Sequence, residues 1–423
     1  MIVNAPIKDD IWQEHFTQLH GIALGSLTLS QKLAACAGYL QQRLGTESNP
    51  HLRQQMKTGA SALERAAGGD FGGISDQFRN IVRTPAEHAE DEHYLVLVVK
   101  HINPCEPPYP LIIHAKLDRR TLEAQQVLRS PDFVGQLARR LRVESYSPAS
   151  LASRVQGVNV LHHAGFVRYA VFADLVHEME WTNSDVEGGL LFSNVADQFM
   201  TEDMAVVRKL FPHDARRLGQ SGVLNDTTLR YLFSIFLVLH DTLGHTAPHS
   251  VHHWVKKLVG NFLLDPFEEL GADTQFFWMA TSEKMRGYLS QILTAEEAEA
   301  LPVLWLLKRI CHYIRRGFLL DAQHGNLMED ADARIGVLLW QYFTTHGAIV
   351  REDNHFYLNH ALFPATIEKL LDDWLEVEGE VPGGVESYAG AICEFDARYR
   401  SVDPSTGKWE IPADLRHVFH LLT

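Results

Sequence analysis

A chain of 423 residues is long enough for two or three domains and a sizeable core. Its formal charge of -15 argues against a phosphate-backbone binder, which needs a basic footprint, so no nucleic-acid partner is expected. Four scattered cysteines without a CxxC pair, no signal-like N-terminus and no apolar run longer than residues 232–239 predict a reduced, cytoplasmic protein without a membrane partner.

Residues 11–90 read mostly as helix, with apolar positions at Leu33, Cys36 and Leu40, until Gly68-Gly69-Asp70-Phe71-Gly72-Gly73 breaks the pattern. Tyr94-Leu95-Val96-Leu97-Val98-Val99-Lys100 and Leu111-Ile112-Ile113-His114-Ala115-Lys116-Leu117 are β-branched runs around a Pro-rich stretch, which predicts two strands. A second strand pair is expected at residues 157–161 and 167–172, separated by His162-His163-Ala164-Gly165. From about residue 195 helix dominates again, with helical spacing over 224–245, 250–262, 266–292, 300–320, 330–346 and 364–378. The expected fold class is therefore α+β and predominantly helical. A helical N-terminal region (1–90) and a small α+β region (91–178) precede a helical metal-binding domain (179–423).

The chemistry concentrates in Leu239-His240-Asp241-Thr242-Leu243-Gly244-His245 and Glu268-Glu269-Leu270-Gly271-Ala272-Asp273. Two histidines five apart are weak evidence alone, since 23 histidines in this chain produce about one such pair at any spacing by chance. Context strengthens them. Residues 229–239 are apolar nearly all round, so they form a buried helix that carries His240 and Asp241 inward. A buried carboxylate beside an imidazole needs hydrogen-bond partners or a cation. Residues i and i+5 lie about 140° apart on an α-helix. Both rings can therefore share a ligand only if the backbone widens locally, and Gly244 is where a π-type bulge or a break is easiest. Glu269 and Asp273, four apart on one helical face, complete the set: Glu269 as third ligand, Asp273 accepting the far ring N–H of a ligating histidine. Glu268 points elsewhere, as a solvated or supporting carboxylate. Two His and one Glu leave a coordination position open, as catalytic metal sites do. His249, with His252 and His253 nearby, is an alternative metal ligand.

His240-Asp241-Thr242-Leu243-Gly244-His245 resembles the HExxGH element of zinc peptidases of the dipeptidyl-peptidase III kind. Glu268 to Asp273 resembles that family's EExxA(E/D) element and, more broadly, the second glutamate element of gluzincins. The likeness covers roughly residues 229–400. It implies zinc held by His240, His245 and Glu269, with Asp241 in the general-base position where the family has Glu, one methylene longer. His346, Tyr357 and Arg334 are the candidates for transition-state donors. A second resemblance, to the H(E/D)xxGHxP element of pterin-dependent aromatic amino acid hydroxylases, rests on the same residues. It implies iron(II) in a two-His, one-carboxylate triad with Glu283, from Phe277-Trp278-Met279-Ala280-Thr281-Ser282-Glu283, as the carboxylate. The leading expectation is a metal-dependent hydrolase of peptides or amides, with a small-molecule or peptide substrate. Iron(II) oxygen chemistry and a non-catalytic metalloprotein are the alternatives. Neither a GxSxG elbow nor a GxxxxGK[ST] loop occurs in the sequence.

Overall fold

The computed structural model describes residues 27–74, 93–100, 109–116, 119–142, 155–165, 173–175, 189–192, 195–244, 253–314, 331–401, 410 and 412–416. Its contacts gather residues 1–123 with 150–195 into one unit, and 124–149 with 196–423 into another.

In the first unit, Thr28 opens α1 (Leu29–Leu44) with a reciprocal capping box to Gln31, and Asn49 caps α2 (Pro50–Ala67), which stops at Gly68. The strands are β1 (His93–Lys100), β2 (Tyr109–Lys116), β3 (Val155–Gly165), β4 (Ala173–Leu175) and β5 (Gly189–Phe192), in the order β1-β2-β3-β5-β4. β1 and β2 pair antiparallel with Val96 opposite Ile113, as the β-branched runs predict. Across the expected boundary near residue 90, α2 packs on β1. Gln55 accepts the Leu95 N–H at 2.6 Å, and Gly59 leaves room for Leu95 and Leu40. The expected turn at His162-His163-Ala164-Gly165 is corrected: these residues continue β3, because β2 offers them a full antiparallel ladder from Leu111↔Gly165 to His114↔His162. Of the partner strand expected at 167–172, all residues lie outside those described.

The second unit is helical. It contains α3 (Pro131–Leu141), α4 (Met204–Leu210), α5 (Pro212–Gln220), α6 (Asp226–Leu237) and α7 (His253–Val259). α8 (Asn261–Thr281), α9 (Glu283–Leu289), α10 (Ala295–Lys308), α11 (Ala331–Thr345), the hairpin β6 (Ile349–Glu352) to β7 (His355–Leu358), α12 (Phe363–Glu378) and α13 (Val385–Tyr399) follow. The protein is thus predominantly helical α+β, as expected. The single helix predicted over 266–292 is two helices. Ser282 takes an extended conformation (φ -69°, ψ 132°) and its side chain caps α9 through the Lys284 N–H. Trp278, Trp305, Trp340 and Trp374 are fully buried at the centre of this unit. No described helix is long and apolar enough to cross a membrane.

Among the described residues, three π-helical segments interrupt the unit: Phe199–Asp203, Val238–Gly244 and Arg309–Ile314. Each carries a buried polar side chain: Asp203 on the first, His240 on the second, Arg309 and His312 on the third. Such insertions turn side chains off the regular helical stripe, which is why they gather at functional sites.

Candidate metal centre

The apolar helix α6, with Leu229, Leu232, Phe233, Ile235, Phe236 and Leu237 all buried, runs into the π segment Val238–Gly244. Hydrogen bonds from i to i+5 bring residues five apart onto one side of the backbone, the local geometry that a five-residue histidine spacing requires. His240 emerges from it only 4% exposed. Gly244 allows the segment to lie directly on α8, for a Cβ there would meet the Ala272 Cα and carbonyl oxygen at 2.9 Å. Gln275 Nε2 donates to the Gly244 carbonyl at 3.0 Å and satisfies one acceptor of the widened turn.

This close approach places the His240 ring between two carboxylates of α8. Nε2 lies 3.2 Å from Glu269 Oε2, and Nδ1 lies 3.1 Å from Asp273 Oδ1. Glu269 and Asp273, four residues apart on α8, thus both face the His240 ring, Asp273 on the Nδ1 side and Glu269 on the Nε2 side. Asp273 is fully buried and also accepts from Trp305 Nε1 at 2.7 Å and Arg309 Nε at 2.6 Å. Burial pushes its carboxyl pKa up. The Arg309 charge and the hydrogen bonds from His240 and Arg309 outweigh this and hold it below the ordinary value. Trp305 stacks on Phe236 at 3.5 Å between ring centroids, and Phe236 stacks on His240 at 5.0 Å. The imidazole is therefore fixed by an aromatic wall as well as by hydrogen bonds.

The donor set fits a divalent metal. Two ligands at zinc distances of about 2.0–2.2 Å, separated by the tetrahedral angle, stand about 3.3–3.6 Å apart. The observed His240 Nε2 to Glu269 Oε2 separation of 3.2 Å lies just short of that edge, so a small adjustment would admit an ion between them. With Nδ1 against Asp273, the ring is oriented as in carboxylate–histidine–metal arrangements, leaving Nε2 for the ion.

The other expected residues fall as follows. His245 and His249 lie outside the described residues, and of Asp241 only the backbone is described, in the π segment beside His240. Glu268 turns away from the ring: its Oε1 lies 3.9 Å from the buried Lys256 Nζ, which also holds Glu378 at 2.9 Å. Glu283 is exposed at the start of α9, with its carboxylate 2.7 Å from Arg286, and no described contact joins it to His240. His346, at the end of α11, directs Nδ1 to the Tyr342 carbonyl at 2.9 Å and stacks on that ring at 4.3 Å. Tyr357 lies in β7 opposite Val350. Arg334 is buried in α11; burial lowers its pKa, and the nearby Asp396 opposes that shift. No described contact joins these three residues to His240 or Glu269.

Sequence reasoning missed Arg309 and Trp305. The signal was nonetheless present: Leu301-Pro302-Val303-Leu304-Trp305-Leu306-Leu307 is as apolar as the run before His240 and delivers Lys308 and Arg309 inward. Lys308 is fully buried against Asp203 at 2.8 Å, whose other oxygen lies 2.9 Å from His312 Nδ1. With Glu202, Asp203 and His312 form a group with potential ligand atoms within 4.8 Å of one another, the one such trio among the described residues. Lys308 and His312 each hold one oxygen of the Asp203 carboxylate, so this group is an ionic network as well as a set of potential cation ligands.

No family model matches the sequence, and no curated protein is significantly similar to it. Among the solved structures that share its fold are two of dipeptidyl-peptidase III. Dipeptidyl-peptidase III from Corallococcus sp. strain EGB superposes with a TM-score of 0.53 at 14% identity, over 92% of this chain and 66% of that one. Dipeptidyl-peptidase III from Caldithrix abyssi does so with a TM-score of 0.50 at 13% identity, over 86% of this chain and 68% of that one. The fold is thus that of dipeptidyl-peptidase III, in a chain spanning about two thirds of those proteins' length.

Proposed function

We propose that the protein is a zinc-dependent hydrolase of peptide or amide bonds, with His240, His245 and Glu269 as metal ligands and Asp241 as proton acceptor. The observation that carries this reading is the His240 ring, with Glu269 at 3.2 Å on one nitrogen and Asp273 at 3.1 Å on the other. The fold shared with two dipeptidyl-peptidase III structures supports it. Zinc bound there would supply Lewis acidity to water and to a scissile carbonyl at neutral pH.

The chain's own residues have separate tasks. Asp273 keeps His240 Nδ1 occupied, so that Nε2 presents its lone pair. Phe236 and Trp305 shield the ring and exclude water from its buried side. Asp241, next to His240 in the π segment, accepts the proton of the attacking water and passes it to the leaving amine. Its short side chain makes reach the critical variable. Incubation of the zinc-loaded protein with unmodified peptides of four to eight residues, followed by mass spectrometry, tests the reading. Release of N-terminal dipeptides or other fragments, lost in Asp241→Asn with metal retained, is expected. Intact peptides after prolonged incubation with fully zinc-loaded protein would refute hydrolysis.

A further inference from the structure

We infer that Arg309 is the positioning residue of the metal centre: its guanidinium fixes where Glu269 and Asp273 stand relative to His240. This rests on the proposed metal site and deepens it.

Arg309 is 1% exposed and spends its three nitrogens on three carboxylates. Nε donates to Asp273 Oδ2 at 2.6 Å, NH2 reaches Glu269 Oε2 and Asp273 Oδ1 at 3.3 Å each, and NH1 donates to Asp332 Oδ1. The oxygen of Glu269 that Arg309 holds is the one 3.2 Å from His240 Nε2. A guanidinium is planar and its donors diverge at set angles, so one rigid group dictates the spacing of all three acids. A lysine ammonium, a single point of charge, cannot do this.

Arg309 is itself held from several sides. Its guanidinium lies 4.7 Å over the Trp305 ring, whose Nε1 donates to the same Asp273. Its carbonyl oxygen packs against Gly336 of α11, where a Cβ would stand 2.8 Å away. Asp332, at the start of α11, anchors the outer end of the fork. α8, the π segment after α10 and α11 are thereby tied together at the carboxylate meant for the metal.

The charge-preserving variant Arg309→Lys separates geometry from electrostatics. Zinc affinity of the 423-residue chain, measured by chelator competition, should fall about 10- to 100-fold, the usual cost of losing a partner behind a metal ligand. The visible spectrum of the Co2+-loaded protein should change with it, which a purely structural defect elsewhere would not cause. Asp332→Asn, at a partly exposed position, should weaken zinc several-fold even if Arg309→Lys fails to fold. Wild-type zinc affinity in Asp332→Asn and in any folded Arg309→Lys, alongside complete loss in His240→Ala, would overturn the inference alone. Undiminished zinc binding in His240→Ala would overturn the metal site and the inference with it.

Discussion

Gly244→Ala probes the contact on which the candidate centre depends. The added methyl would sit 2.9 Å from the Cα and carbonyl oxygen of Ala272, where ordinary contact begins near 3.4 Å. Both neighbours are backbone, so no side chain can swing aside. The π segment and α8 must therefore part by about 0.5 Å, the difference between those two values. Ala272 lies between Glu269 and Asp273, so this displacement acts on the 3.2 Å separation of His240 Nε2 and Glu269 Oε2. Overpacking of this kind costs about 1–3 kcal/mol. For a unit of this size, melting should fall by about 2–4 °C per kcal/mol. Calorimetry of the metal-free protein measures the loss, and chelator competition should show zinc bound at least about tenfold more weakly. Gly287→Ala is the control: nothing lies within 4 Å of a Cβ at that helical position, so stability should hold or rise by about 0.5–1 kcal/mol. A Gly244→Ala protein with unchanged melting temperature and zinc affinity would refute the reasoning.

Other consequences concern the surrounding network. Lys308→Met removes the ammonium from the fully buried Asp203, leaving only His312 to offset its charge, and should cost about 3–5 kcal/mol in denaturant unfolding; a loss under 1 kcal/mol would show the pair to be dispensable. Burial raises the Asp203 carboxyl pKa, but Lys308 and His312 outweigh this and hold it below its ordinary value. Stability from that group is complete above an unfolded carboxyl pKa of about 3.9 and disappears as pH falls through the lower folded value. Acid titration of Lys308→Met should accordingly show unfolding at higher pH than wild type, and coincident curves would contradict the assignment. Glu283→Ala removes an exposed carboxylate paired with Arg286 and should leave metal content unchanged, whereas the iron-triad alternative requires its loss. Trp305→Phe keeps the ring on Phe236 but deletes the donor to Asp273, so it should lower zinc affinity by a factor of several with little change in helix content by circular dichroism.

Much of the centre was legible in the chain because its cause is local. An apolar run ending at His240, a histidine spacing that no α-helix satisfies and a Glu269/Asp273 face predict the buried ring, the widened turn and the two carboxylates lying beside the ring. Arg309 was missed because its role depends on three carboxylates from two other helices, although an apolar run ending in two cations is the same signal with the charges reversed. Glu268 was placed only loosely, since its tie to Lys256 crosses to α7 and Glu378 comes from a distant helix. The strand through His162 to Gly165 was read as a turn because its ladder with β2 is a long-range pairing. Conversely, the break at Ser282 was available locally, as a serine followed by a glutamate at a helix start.

Metal analysis of the purified 423-residue chain beside its His240→Ala and Glu269→Ala variants tests the central claim most directly. One equivalent of zinc in the wild type, lost in both folded variants, is the predicted result. Zinc retained at full stoichiometry in Glu269→Ala, or iron as the resident metal with loss in Glu283→Ala, would contradict the account.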